Sequence, residues 1–327
     1  MKRVDVPVLL LGGTTASGKT ALSLQLAAAT GAMVVNADAQ QLYRDLPILT
    51  ARPTPEEEAQ AEHRLFGILG PEEETTAGRW LELVLPVLEE AGARGVPVIL
   101  VGGTGLYLLR LLGGLAPVPP VPEEVRRRWR EDPRPAPELH AELARRDPAT
   151  AARLRPNDRQ RILRALEVIE GTGRPLLDWQ RETRPPVTFA RLRGIALLPP
   201  RDRLRERIER RLDAMLGAGM LEEIRALAAR IPHLRRLPLA RLHGLREFLD
   251  HLEGRTTLEA ARERTVIVTR QYAKRQSTFF RHQLPVCTPV ETFGEAVPQA
   301  LVEELRAFLG GGAASAGLSG RREVAGR

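Results

Sequence analysis

Near the start of the chain, Gly13-Thr14-Thr15-Ala16-Ser17-Gly18-Lys19-Thr20 fits G-x-x-x-x-G-K-[ST], the pattern of a phosphate-binding P-loop. Such a loop works only between a buried strand and a helix, so it dictates its own surroundings. The apolar run at 6–11 before it is short enough to be a buried strand. After it, Ala21, Leu22, Leu24, Leu26 and Ala27 read as an alanine-rich helix. In that setting the loop's backbone N–H groups and the helix N-terminus present partial positive charge to a di- or triphosphate. Lys19 would reach the terminal phosphate as a point charge, and Thr20 would hold Mg²⁺. Composition sharpens the reading, because Lys2, Lys19 and Lys274 are the only lysines among 327 residues. A rare residue fills the one slot that demands it. The competing account is a glycine-rich strand–helix turn without a ligand.

Further strand signals fall at 33–35, 66–69 and 96–101, with helical patterning over 80–91. This alternation argues an α/β fold, a parallel sheet with helices on both faces. Prolines then cluster at 117–122 and recur at Pro133, Pro135 and Pro137, which signals a boundary. Residues 123–182 are helical and arginine-rich. There Pro156-Asn157-Asp158 caps a helix whose Ile162, Leu166 and Ile169 share a face, with Gly171 as its stop. A new apolar strand at 194–198 returns the chain to core-like composition. We therefore expect a P-loop core from 1–116 and 191–309, an all-helical insertion at 117–190, and a disordered Gly/Ala/Ser-rich tail at 310–327. Within the second core segment, Leu204, Ile208, Leu212 and Met215 repeat at helical spacing, with Arg203, Arg207 and Arg210 placed opposite. The last long helix is expected from 258 to 280.

The net charge of +8 and the sequence pI near 10.5 suggest a polyanionic partner, nucleic acid first, although arginine enrichment can also reflect general compositional bias. No run of 18 apolar residues would span a membrane, and the first strand follows the N-terminus too closely to leave room for a signal peptide. Cys287 is the sole cysteine, which excludes an internal disulfide and a cysteine zinc site and suits a reducing cytosol. His63, His140, His233, His243, His251 and His282 show no metal-ligand spacing, and His63 is read as a packing or hydrogen-bonding residue.

The second strand leads to Asn36-Ala37-Asp38-Ala39-Gln40-Gln41. Ligands of open α/β sheets bind beyond the carboxyl ends of strands, so Asp38 should face the P-loop's crevice. A carboxylate there repels phosphate unless it bridges through Mg²⁺ or accepts a proton from a nucleophile; the alternative is a helix-capping aspartate. The next core strand ends in Gly102-Gly103-Thr104, where a nucleotide hydrolase would carry an acidic residue to organise Mg²⁺ and water. Its absence argues against a motor or GTPase. The glycines permit close backbone approach, and Thr104 offers a hydroxyl. In 269–281, Arg270, Lys274, Ser277 and Arg281 share a helix face, Arg275 adds charge, and Tyr272, Phe279 and Phe280 interleave. Aromatics among basic residues suit a phosphate backbone and stacked bases, or simply an amphipathic helix with a solvated basic face.

Taken together, these segments resemble the bacterial tRNA dimethylallyltransferases, also called tRNA isopentenyl transferases. The resemblance runs to about residue 281. It is carried by Gly13 to Thr20, Asp38-Ala39-Gln40-Gln41-Leu42-Tyr43, Thr50-Ala51-Arg52-Pro53, His63-Arg64-Leu65, Gly102-Gly103-Thr104-Gly105-Leu106-Tyr107, Pro156-Asn157-Asp158 with Arg161 and Arg164-Ala165-Leu166-Glu167-Val168, and the 269–281 helix. It implies a P-loop that takes the diphosphate of dimethylallyl diphosphate in place of ATP, and transfer of the five-carbon group to N6 of adenosine 37 of tRNA. By the same resemblance Asp38 is the base, while Thr15, Lys19, Thr20 and Mg²⁺ stabilise departing diphosphate, and Arg203 closes over the phosphates. Asp38, Ala39, Gln40, Gln41, Thr104, Arg126, Gln160, Arg161, Ile162, Leu163 and Arg164 align with tRNA-contacting segments. Departures are Ala39 where serine is usual, Arg155 for histidine, Gly244-Leu245-Arg246-Glu247 for Gly-Tyr-Lys-Glu, and Phe279 for tryptophan; these touch RNA reading more than diphosphate binding. The expected enzyme is a cytoplasmic monomer acting on the anticodon stem-loop. A small-molecule kinase explains the P-loop and Asp38 but neither the insertion nor the basic helix, and a non-catalytic RNA-binding protein leaves Asp38 without a purpose.

Overall fold

The computed structural model describes residues 2–311. Two compact units emerge: Met1–Leu109 with Val187–Arg327, and Arg110–Pro186. Of the tail expected at 310–327, residues 312–327 lie outside the described part.

The strands of the larger unit are β1 (Lys2–Gly13), β2 (Met33–Asn36), β3 (His63–Arg64), β4 (Val98–Gly102), β5 (Val187–Leu197) and β6 (Cys287–Val290). They form one sheet in the order β3-β2-β4-β1-β5-β6, with every ladder parallel. The principal helices are α1 (Lys19–Thr30), α2 (Ala77–Arg94), α3 (Glu123–Arg130), α4 (Ala136–Arg146), α5 (Arg159–Thr172), α6 (Arg201–Gly217), α7 (Leu258–His282) and α8 (Gln299–Leu309).

Central β1 is covered on both faces, which is why Val8, Leu9, Leu10 and Leu11 are all apolar and fully buried. Leu9 and Leu11 pack with Leu22 and Leu26 of α1 and Val302, Leu305 and Phe308 of α8. On the opposite face α2 and α7 lie against β1, and a Cβ at Gly12 would overlap the Phe280 ring of α7. The expected α/β layering is therefore present. Truncating Leu9 to alanine would cost about 2–5 kcal/mol through the cavity it leaves.

Several expected boundaries move. The strand expected at 66–69 is instead β3 at His63–Arg64, because Leu65 (φ 65) and Gly67 (φ 58) turn the backbone left-handed and end the pairing; Leu69 keeps only a single bridge to Tyr43. The edge strand β6 is too short and too polar at Thr288 and Pro289 to stand out in the sequence. The helical unit begins at Arg110 and ends at Pro186, not at 117 and 190. The proline cluster is a loop inside that unit, and Val187 already pairs with Lys2 in the sheet. Its regular elements are all helical among the described residues, and α3, α4 and α5 pack around Trp129, Leu139, Leu143, Ile162, Ala165 and Leu166. Asp158 caps α5 by accepting from Arg161 N. The helix ends at Gly173 (φ 69), two residues past the expected Gly171, whose missing side chain instead lets Val121 approach.

Candidate active site

The P-loop, the ends of β2 and β4, and one face each of α6 and α7 enclose a cavity of about 320 Å³. Thr15 through Thr20, Asp38, Gln40, Gln41, Arg207, Arg211, His243 and Tyr272 are among its walls. The strand-to-helix turn dictated by the motif is formed as expected. Gly18 sits at φ 87 as the N-cap of α1, a conformation that favours glycine.

Lys19 folds back over its own loop, donating from Nζ to Thr14 O at 2.7 Å and Gly13 O at 3.3 Å. Burial lowers its pKa to about 8, with Asp38 opposing that shift and Arg211 adding to it. The hydroxyls of Thr14 and Ser17 are buried without a hydrogen-bond partner. An ammonium resting on carbonyls and unpartnered loop hydroxyls leave room for an oxyanion to complete them.

Asp38 is fixed from three sides. Its Oδ1 accepts from Gln40 N at 3.0 Å, its Oδ2 from Gly103 N at 3.2 Å, and its own N–H donates to Asn36 Oδ1 at 2.7 Å. Fully buried Asn36 also donates from Nδ2 to Asp38 O and Leu65 O, both at 3.0 Å, while Trp80 Nε1 donates to Asn36 O. The close approach expected of Gly102 and Gly103 is real: a Cβ at Gly102 would overlap the Ala37 carbonyl, and one at Gly103 would stand 3.0 Å from Asp38 Oδ2. Thr104 Oγ1 accepts from Ala39 N at 2.9 Å, which ties the two strand ends together.

Gln276 of α7 was not singled out by sequence, although it lies inside the basic helix motif. It accepts from Thr15 N at 2.8 Å and donates to Gly103 O at 2.9 Å, joining the P-loop to the β4 turn. His243 was missed as well. Its Nδ1 meets Gln40 Nε2 at 2.7 Å, its N–H donates to Gln40 Oε1, and its ring lies 4.3 Å from that of Tyr272. Burial lowers the His243 pKa, against the pull of Asp38, so the neutral ring is favoured. Gln41 donates to Thr50 O and Ala51 O. His63 holds Ala61 O with Nδ1, packs on Phe66, and keeps a buried, unpartnered Nε2.

Arg203 is corrected. It is exposed and does not line the cavity, whereas Arg207 and Arg211, farther along α6, do. The helix turns Arg207 to the same cavity as Ile208, Leu212 and Met215 rather than away from them. Burial lowers the Arg211 pKa, and this guanidinium makes no ion pair among the described residues. The i, i+4 spacing of Arg207 and Arg211 was the available signal.

The basic face of α7 is exposed at Arg270, Lys274, Arg275 and Arg281, with Arg281 paired to Glu291 at 2.7 Å. Its aromatics are not interleaved on that face. Phe280 is buried against β1, Phe279 packs on Gly105, and Tyr272 faces the cavity, while Arg275 lies 5.7 Å over the Tyr272 ring. In the helical unit Gln160, Arg161 and Arg164 are exposed and Arg126 is half-buried. Ile162 is corrected too: it is wholly buried in that unit's core, with Leu163 packed against it, so its side chain serves packing and offers nothing to RNA.

Among the described residues no group of three or more His, Cys, Asp or Glu could hold a metal. The Thr20 hydroxyl on the cavity wall is a hard oxygen donor of the kind Mg²⁺ takes, so a magnesium here would be shared between Thr20 and a bound diphosphate.

Residues 41–283 match the model of a family described as IPP transferase. The chain is 51% identical over 281 residues to a tRNA dimethylallyltransferase of Nitrobacter hamburgensis, covering 85% of this chain and 88% of that protein. Its structure resembles that of the tRNA isopentenylpyrophosphate transferase of Bacillus halodurans, with TM-score 0.66, 32% identity and coverage of 93% and 96%. A eukaryotic dimethylallyltransferase acting on tRNA superposes with TM-score 0.82 at 26% identity, covering 95% of this chain and 81% of that one.

Proposed function

The chain belongs to the IPP transferase family, and from that premise we propose that it transfers the dimethylallyl group of dimethylallyl diphosphate to N6 of adenosine 37 in tRNA and releases diphosphate. The observation that carries this reading is one cavity holding both the P-loop ammonium of Lys19 and the oriented carboxylate of Asp38. The first suits an anionic leaving group and the second a nucleophile that must lose a proton.

In the reaction, the bond between the allylic carbon and the diphosphate oxygen breaks, and its electron pair leaves with diphosphate. A bond from N6 to that carbon forms, and the N6 proton passes to Asp38. The exocyclic amine is a weak nucleophile, so placement contributes more than basicity. The Gly103 and Gln40 N–H groups hold the Asp38 carboxylate for this role. Lys19, the Thr15 hydroxyl and the loop N–H groups without a bond of their own receive the diphosphate, and Arg207 and Arg211 take the closing role expected of Arg203. A magnesium held at Thr20 would neutralise further charge on the leaving group.

Adenosine 37 is stacked in the anticodon loop and must swing out to reach such a site. Arg270, Lys274, Arg275 and Arg281 on α7, and Arg126, Gln160, Arg161 and Arg164 of the helical unit, would hold the surrounding phosphates and loop. We read the enzyme as a cytoplasmic monomer; among the described residues no helix is long and apolar enough to cross a membrane. A small-molecule kinase is not favoured, since it gives the basic α7 face no purpose.

The test mixes purified protein, Mg²⁺, dimethylallyl diphosphate and unmodified tRNA carrying A36-A37-A38, followed by nucleoside digestion and mass spectrometry. The expected product is adenosine heavier by one dimethylallyl group. ATP consumption with a small-molecule acceptor, and no such nucleoside, would replace this reading with the kinase.

A further inference from the structure

The segment after β6 lies outside the part of the chain that the family model describes, yet it reaches the phosphate loop. Gly294 N donates to Ser17 O at 2.8 Å, and the space a Cβ would need at Gly18 is taken by Glu295 Oε2 at 2.5 Å. Glu295 also pairs with Nη1 of Arg207. Phe293 lies under the same guanidinium, 4.7 Å from its Cζ, and is itself packed on Ala16, Leu204, Ile208 and Ala273.

Arg207 lines the cavity; Glu295 and Phe293 do not. The guanidinium is therefore gripped from behind by a carboxylate and a ring. Only Nη1 is engaged, so Nε and Nη2 make no hydrogen bond among the described residues. Burial alone would raise the Glu295 pKa, but the bond from Arg207 holds it below the ordinary carboxylate value, so the charge stays in place. A long side chain that would otherwise sample many rotamers is thus set in advance.

We propose that Glu295 and Phe293 are positioning residues that hold Arg207 toward the cavity so that its outward N–H groups meet the diphosphate. This rests on the proposed diphosphate-dependent transfer. Neither residue touches substrate, and both act through Arg207. The charge of Glu295 would repel a diphosphate if it faced one; placed behind the guanidinium, its main effect is orientation.

The test titrates the full-length protein with inorganic diphosphate in the presence of Mg²⁺ by calorimetry, and measures KM and kcat alongside. Glu295→Ala is expected to weaken diphosphate binding and raise KM for dimethylallyl diphosphate by roughly five- to tenfold. The KM for tRNA should move less than about twofold. Glu295→Gln keeps an acceptor and should lose less. Phe293→Leu should shift the same parameter, and it serves if Glu295→Ala folds poorly. In an Arg207→Ala background, Glu295→Ala should add nothing further, which a merely structural role would not produce. Unchanged or tighter diphosphate binding in Glu295→Ala, or the same loss on top of Arg207→Ala, would overturn the proposal. A wild-type protein that does not bind diphosphate would overturn the proposed function, and this inference with it.

Discussion

Two sets of cations in this chain stand in contrast. In the cavity of the larger unit, Lys19 rests on backbone carbonyls and Arg211 makes no ion pair among the described residues. In the helical unit several arginines are already matched: Arg126 with Glu123 at 2.8 Å, Arg130 with Glu167 at 3.1 Å, Arg161 with Asp158 at 3.2 Å and Arg164 with Glu167 at 3.4 Å. The more exposed of these, Arg126–Glu123 and Arg161–Asp158, contribute about 0–1 kcal/mol and exchange partners readily. A cation drawn largely out of water, with the Asp38 carboxylate in its cavity as the main offset, is costly until an anion arrives. The net charge of +8 therefore hides two different uses of basic residues, one set for a specific small anion and one spread for a large, adaptable one.

Substitutions should separate the two sets, and the cavity should respond most. Asp38→Ala is expected to lower the transfer rate by roughly 10² to 10⁴ while tRNA affinity barely changes; single-turnover rates beside filter-binding curves check both halves. Lys19→Ala should follow, with a loss of about 10² to 10³ in kcat/KM for dimethylallyl diphosphate.

A sharper contrast lies within α6. Arg211→Ala is expected to lower kcat/KM for dimethylallyl diphosphate by about 10- to 100-fold, because a buried cation facing the anion is lost. Arg203→Ala, on the exposed side, should stay within about twofold. Equal losses at both positions would break the distinction between buried and exposed guanidinium groups.

Acidity offers a fourth test. Burial lowers the Lys19 pKa to about 8, below its ordinary 10.5. Folding thus disfavours its charged form, a penalty present below about pH 8 that fades as pH rises toward 10.5. Diphosphate needs the charged form, so KM for dimethylallyl diphosphate should rise above pH 8, approaching about tenfold per unit. A KM profile from pH 7 to 9 reads this directly, and Lys19→Arg should flatten it.

The smallest effects belong to the helical unit. Arg161→Ala or Arg164→Ala should weaken tRNA binding only about two- to fivefold and reduce its salt slope by less than one, since each arginine already shares its charge with a carboxylate. Arg270 and Lys274, exposed on α7 with no ion pair among the described residues, should each cost more. Affinities measured across a salt series would rank them.

What could be read from sequence was what depends on near neighbours along the chain. The P-loop, the strand before it and Asp38 at the end of β2 are fixed by a few consecutive residues whose backbone geometry allows little else. Pairing of His243 with Gln40, and of Gln276 with Thr15 and Gly103, joins positions far apart in the chain, and no local pattern announces such a partner. Arg203 shows another limit. Helical periodicity says which residues share a face, but the turn that meets the site depends on how α6 is set against the sheet. The aromatic residues of α7 were ambiguous for the same reason: Phe280 suits a base-stacking surface and a sheet-covering core equally well until Gly12 is seen beneath it. Gly171 and Gly173 differ only in that one meets a neighbour and the other turns the backbone.

The bond from Thr15 N to Gln276 links positions 261 apart in the chain. Synthesis runs from the N-terminus, so the loop at 13–20 leaves the ribosome long before its braces at Gln276 and Gly294. Between those two points the nascent chain carries the motif without the groups that set it. The site matures only once residue 294 has emerged, and a chain cut short before residue 276 has every residue of the P-loop and no finished pocket.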